Sequence, residues 1–171
     1  MLSIQLSHRE IWSAATTWGV AAPAFNNTLD QIIIPAGITV TMDNNASING
    51  APASLTVNGT LTSNAASTLT IGQGSVTGNG AINVGTLALN AASMLAFTGT
   101  VTAEYVNSAS TGIQGAATFV VSKALNLTGG TFTLANGGSL SVANGSTITF
   151  SGGMMALNGG TLSLINQYSV R

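Results

Sequence analysis

Residues 125–164 read LNLTGGTFTLANGGSLSVANGSTITFSGGMMALNGGTLSL. Six apolar-x-apolar triplets stand in this stretch, beginning at Leu125, Phe132, Leu140, Ile148, Met155 and Leu162, at intervals of 7, 8, 8, 7 and 7 residues. Between them lie Gly129-Gly130, Asn136-Gly137-Gly138, Asn144-Gly145, Gly152-Gly153 and Asn158-Gly159-Gly160. Each triplet has the period-2 pattern of a strand with one buried face. Each Asn/Gly cluster supplies a turn whose backbone needs positive φ, which Gly and Asn tolerate best.

The same theme runs back through the chain. Leu55 with Val57, Leu69 with Ile71, Ile82 with Val84, Leu87 with Leu89 and Leu95 with Phe97 are further triplets, punctuated by Asn58-Gly59, Gly72-Gln73-Gly74 and Gly78-Asn79-Gly80. Residues 103–118 are less regular and are expected to hold an insert, a longer loop containing Glu104 and Tyr105. Helix is not expected after residue 26, because Gly, Thr and Val are frequent and no 3.6-residue periodicity survives.

Free-standing hairpins would use strands this short poorly. A solenoid uses them well, because each strand stacks on its equivalent in the next coil, about 4.8 Å away. The expected fold is therefore all-β: a parallel β-helix (β-solenoid), right-handed and three-faced, with about 22 residues per coil. A two-faced coil of about 15 residues is the competing period. The solenoid is expected over 26–171. Residues 1–25 differ: Trp12, Trp18 and Phe25 are bulky aromatics beside the first coil, suited to capping an open apolar end. No comparable cap is visible in Ile165–Arg171, which suggests a truncated chain or end-to-end association.

Composition narrows the function. Only seven of 171 residues are formally charged (Arg9, Glu10, Asp30, Asp43, Glu104, Lys123 and Arg171), while Thr, Ser and Asn number 23, 18 and 16. An ordinary domain is about a quarter charged. Nucleic-acid binding needs a basic footprint that three scattered cations do not make. Disorder needs low hydrophobicity with high net charge, the reverse of this chain. No apolar run reaches the roughly 18 residues of a transmembrane helix. There is no cysteine, hence no disulfide framework or thiolate metal site.

Three segments together carry a resemblance. They are Thr17-Trp18-Gly19-Val20-Ala21-Ala22-Pro23, then Asp30-x-Ile32-x-Ile34-Pro35-x-Gly37-x-x-Val40-x-Met42-Asp43, then Leu55-x-Val57-Asn58-Gly59-x-Leu61. The chain resembles the β-helical regions of large secreted bacterial surface proteins, those of autotransporter passengers and of Bacteroidetes repetitive surface proteins. The resemblance implies an extracellular or cell-surface location and a role as stalk, adhesin or matrix. It implies self-association, end-to-end or lateral, or contacts with glycans and cell surfaces.

Catalytic β-helices need clustered Asp, Arg, Lys or His on one face. Four acids and one histidine, dispersed as they are here, compose no catalytic set, metal site or cofactor site, so a non-catalytic protein is expected. A polysaccharide-binding or -degrading β-helix is the least favoured alternative. Asp30 and Asp43 read as turn residues, and Glu104 with Tyr105 marks the one place where a polar site could be assembled. One array stands out. Thr-x-Thr pairs occur at Thr39 and Thr41, Thr60 and Thr62, Thr68 and Thr70, Thr100 and Thr102, Thr131 and Thr133, and Thr147 and Thr149. Each pair encloses an apolar residue, so the threonines point outward. On a 15–16-residue coil all but Thr60 and Thr62 fall near one face, a surface resembling that of ice-binding solenoids. On a 22-residue coil they scatter over several faces.

Overall fold

In Ser54-Leu55-Thr56-Val57 apolar residues alternate with hydroxyls. The backbone there is extended, with Leu55 and Val57 buried and Ser54 and Thr56 on the outside. The same alternation recurs in nearly every strand of the computed structural model, which describes residues 2–3, 9–15, 22–24, 26–165 and 169–170. The strands wind into a β-solenoid of about seven turns with about 21 residues per turn.

The first coil carries β1 (Leu2–Ser3), β2 (Arg9–Ile11) and β3 (Asn26–Asn27). The second carries β4 (Gln31–Ile34), β5 (Thr39–Met42) and β6 (Ala46–Ile48). The third carries β7 (Ser54–Val57), β8 (Thr60–Ser63) and β9 (Thr68–Ile71). The next three coils each have a short strand followed by a long one. These are β10 (Ser75–Gly78) with β11 (Ala81–Leu89), β12 (Met94–Phe97) with β13 (Thr100–Ser108), and β14 (Gly112–Gln114) with β15 (Thr118–Leu127). Three strands per coil return with β16 (Thr131–Leu134), β17 (Ser139–Val142) and β18 (Thr147–Phe150), then β19 (Met154–Leu157), β20 (Thr161–Leu164) and β21 (Ser169–Val170).

Among the described residues all strand pairing is parallel, from each coil to the next. The first face is the ladder β1-β4-β7-β10-β12-β14, continued by the pair β16-β19. The second face is β2-β5-β8-β11-β13-β15-β17-β20. The third is β3-β6-β9, then the far halves of β11, β13 and β15, then β18 and β21. The three-faced expectation is therefore met, and the two-faced period is not. Coil length varies along the axis: the second-face positions Val40, Leu61, Ile82, Val101, Phe119, Leu140 and Leu162 follow at 21, 21, 19, 18, 21 and 22 residues.

Two boundaries differ from expectation. Strands β1 and β2 lie in the segment assigned to a cap, yet pair in register with β4 and β5, so the stack begins before residue 26. Residues 103–118 form no long insert either. They complete β13, make β14 and enter β15, within the shortest coils of the solenoid. The charged and aromatic side chains that broke the Thr/Ser pattern there sit on a strand, not in a loop.

The core is a column of Leu, Ile, Val and Phe, with Phe119 and Phe132 edge to face at 4.9 Å. Trp12 is fully buried in the first coil and its backbone N donates to the Thr41 carbonyl at 2.8 Å. Trp18 and Phe25 lie outside the described residues. In the last coil the inward side chains Leu157 and Leu164 are about half exposed.

Buried polar groups are handled at the corners. Asn27 accepts from the backbone N of Leu29 and Asp30 and donates to the Asp30 carbonyl, closing the turn into β4. Buried Ser110 donates to the Ser93 carbonyl and accepts from the Gly112 N–H, closing the turn before β14. Glycines stack at the corner from the first to the second face. A Cβ on Gly80 would lie 2.0 Å from the Gly59 carbonyl oxygen, and one on Gly99 would lie 1.9 Å from that of Gly80.

Candidate functional site

The single Thr array expected from sequence is not formed; its members divide among the three faces. Thr39 and Thr41, with Thr100 and Thr102, lie on the second face. Thr68 and Thr70 lie on the third face, as do Thr147 and Thr149. Thr131 and Thr133 lie on the first. Thr133 is therefore corrected from a member of the array to a separate position on β16, where it stands opposite Ala156 of β19. Thr149 is corrected likewise: it stands on β18 opposite Asn126 of β15, away from both the second face and Thr133. The physical reason is coil length. A 15-residue phase cannot hold these pairs together, because the real coil is about 21 residues long.

A denser array stands on the second face. One outward column reads Thr39, Thr60, Ala81, Thr100, Thr118, Ser139 and Thr161, all in direct register. The adjacent column reads Thr41, Thr62, Asn83, Thr102, Val120, Ser141 and Ser163. Eight of these fourteen positions are Thr and three are Ser; none is charged. Strand spacing sets neighbours in a column about 4.8 Å apart, and the two-residue period sets the columns about 6.6 Å apart. Seven strands therefore give a face about 29 Å long.

Sequence order explains why these positions face out. Each hydroxyl flanks an inward apolar residue (Val40, Leu61, Val101, Phe119, Leu140 or Leu162), and the period of two leaves no other orientation. Thr60 and Thr62 fall out of the 15-residue phase, and Thr118, Ser139, Ser141, Thr161 and Ser163 belong to no Thr-x-Thr pair. Lining up the buried triplets at 18–22 residues finds all of them. Stacked hydroxyls also bond along the axis: Ser139 Oγ donates to Thr118 Oγ1 at 3.3 Å. Similar ladders occur elsewhere, with Thr56 against Thr77 on the first face and Asn126 donating to Asn107 on the third.

At its first strand, β2, the face continues with Arg9 in register with Thr39 and Ile11 in register with Thr41; from β5 to β20 charged groups are set apart from it. Asp43 follows β5 at a corner, where its carboxylate accepts from the Ser13 hydroxyl and backbone N–H and ties the first coil to the second. Asp30 stands at another corner, where its carbonyl accepts from Asn27. Glu104 and Lys123 form an ion pair at 2.7 Å at the corner between the second and third faces. The hydrogen bond that Lys123 donates to Glu104 holds its ammonium above its ordinary pKa. Lys123 Nζ also lies 5.5 Å from the Tyr105 ring centre, within cation–π range.

Among the described residues no three of His, Cys, Asp and Glu gather where a metal ion could be held. Likewise, among them no helix is long and apolar enough to cross a membrane. Comparison with protein-family models, with curated proteins and with solved structures returned no match for this chain. The second face is thus characterised by its geometry alone: from β5 to β20, a sheet without charge presenting donors, acceptors and methyl groups at fixed intervals.

Proposed function

We propose that this chain is a non-catalytic structural or adhesive solenoid of the extracellular, cell-surface kind found in bacteria, serving as a stalk, surface-layer or filament segment. The observation that carries this reading is the second face from β5 to β20, with eleven hydroxyl side chains among fourteen outward positions and no charge. Such a face contacts an uncharged hydroxylated surface, a glycan layer or a second copy laid alongside. Its hydroxyls are already ordered by the strands, so little side-chain entropy is lost on docking. Binding carried without ions is nearly independent of ionic strength.

The test is adsorption of the purified chain to insoluble polysaccharides at low and high salt, with electron microscopy of the free protein for lateral assembly. Thr60→Lys and Thr100→Lys place ammonium groups in the centre of the face and should abolish adsorption or assembly. Retention of both in the two variants would refute the assignment.

The in-register pairs Thr39 and Thr41, Thr60 and Thr62, and Thr100 and Thr102 favour a second reading, ice binding, in which the same face orders water. Thermal hysteresis that disappears in Thr100→Tyr would select it over the adhesive reading.

A further inference from the structure

The corner between the second and third faces changes shape along the axis. In the third coil it is a four-residue turn, residues 64–67, and in the seventh another, residues 143–146. In the fourth and fifth coils it narrows to single unpaired residues, Gly85 and Glu104. In the sixth it is Ser122 and Lys123, which the register shift of β13 against β15 sets opposite Glu104. The shortened coils therefore leave a notch beside the projecting turn of the third coil. It is a depression of about 230 Å³, open to solvent and lined by Ser63, Asn83, Gly85, Thr102, Glu104 and Ser122, among others. Its floor stays at backbone level, because a Cβ on Gly85 would lie 2.1 Å from the Ala65 carbonyl oxygen.

The composition of this notch is unlike the rest of the solenoid. Between Asp43 and Arg171 the sequence holds two charged residues only: Glu104, which lines the notch, and Lys123, which lies outside the lining and pairs with Glu104 at 2.7 Å. Next to them Tyr105 stands out of the third face between the smaller Thr86 and Ala124, with its ring partly exposed. Stability does not account for the placement, since an exposed ion pair contributes little in water. In the third, fourth and seventh coils the same corner is filled by Asn, Ala, Ser or Gly alone, and in the second by Asp43, Asn44 and Asn45.

We propose that this notch is a binding site for a neutral oligosaccharide, which seats one sugar ring in it. The Glu104 carboxylate accepts from ring hydroxyls, and Lys123 both holds that carboxylate in place and donates to ring oxygens. Ser63, Asn83, Thr102 and Ser122 supply both donors and acceptors, and the Tyr105 ring offers an apolar face to sugar C–H groups. The pair is electrically neutral as a unit, so the matching ligand is uncharged. The volume lies below that of a drug-sized pocket, roughly 300–1,000 Å³, which suits one ring of a chain rather than a whole oligomer. The site rests on the adhesive reading and deepens it by naming a ligand class; it shares Thr62, Asn83 and Thr102 with the edge of the flat face, while Ser63, Gly85, Glu104 and Ser122 belong to the notch alone.

The test is an amide NMR titration of the full chain with soluble cello-, xylo-, manno- and chito-oligosaccharides, and with an oligouronate for comparison. At least one neutral oligosaccharide should shift the amides of Gly85, Glu104, Tyr105 and Ser122. Glu104→Gln, which keeps the shape and loses the charge, and Tyr105→Ala should each weaken that binding by about tenfold or more. Thr60→Lys should leave it unchanged, so failure of the flat-face assignment and failure of this site give different results. No shifts with any neutral sugar, shifts confined to the flat face, or binding of the oligouronate alone would each overturn the proposal.

Discussion

Substitution of Gly80 by alanine tests the stacking geometry at the crowded corner between the first and second faces. The φ of Gly80 is not in the left-handed region, so alanine meets no dihedral penalty there. The obstacle is space: the new Cβ would stand 2.0 Å from the Gly59 carbonyl oxygen, and ordinary contact begins near 3.4 Å. The two must separate by more than 1 Å. That oxygen accepts from the Ala81 N–H at 2.8 Å, and the Gly80 N–H donates to Val57 at 2.9 Å. A shift of this size loses about one backbone hydrogen bond, ~1 kcal/mol net. Overpacking adds about 1–3 kcal/mol, and reduced freedom of the unfolded chain returns ~0.4–1 kcal/mol. The expected net loss is about 2–4 kcal/mol. Gly145→Ala is the matched control. Gly145 has φ +78° and nothing within 4 Å of a Cβ, so its cost is conformational alone, about 1–2 kcal/mol before the same entropic offset. Urea denaturation followed by far-UV circular dichroism compares the two. If Gly145→Ala is as destabilising as Gly80→Ala, then carbonyl crowding does not govern this corner.

Two further outcomes are expected. Trp12→Ala removes the largest buried side chain of the first coil and should destabilise the protein by about 3–5 kcal/mol, with amide protection lost first in β4 and β5; unchanged protection there would show that Trp12 does not close that end. The Lys123 pKa is raised in the folded state, so its contribution is complete below the ordinary lysine value of 10.5 and is lost as pH climbs through the raised value. Thermal unfolding against pH should therefore show a small alkaline loss that Glu104→Gln abolishes, and an identical profile in that variant would contradict the assignment.

The strands were legible because apolar residues at i and i+2 leave a chain with Gly/Asn turns little choice. Leu55 with Val57, Leu95 with Phe97 and Leu140 with Val142 are all buried strand pairs. Coil length was legible only as an average, because the same flanking strands accept a corner of one residue, Gly85, or of four, residues 64–67. Register follows from coil length, so the Thr columns could not be assembled from spacing alone. Thr133 and Thr149 show the cost of the wrong phase: 16 residues apart, they seem to repeat, yet they belong to different faces of one coil. The pairing of Glu104 with Lys123, 19 residues on, was hidden for the same reason. Residues 103–118 looked like a loop because charge is unexpected on a ladder, where a repeated charge would face its own copy. The register shift after Ala103 removes that objection, since the opposing residue carries the opposite sign. Strands β1 and β2 escaped notice because two or three residues show no periodicity.

The long strands β11, β13 and β15 have a mechanical consequence. Each turns from one face to the next with no loop, so in those coils two walls of the solenoid share a continuous backbone. The third and seventh coils, on either side, join the same walls through four-residue turns. A rod built this way is stiffest at its waist. Bending strain gathers in the end coils, and tension along the axis peels those coils away while the central girdle still holds. The shortest coils carry the load path, and their ion pair lies on its outer edge.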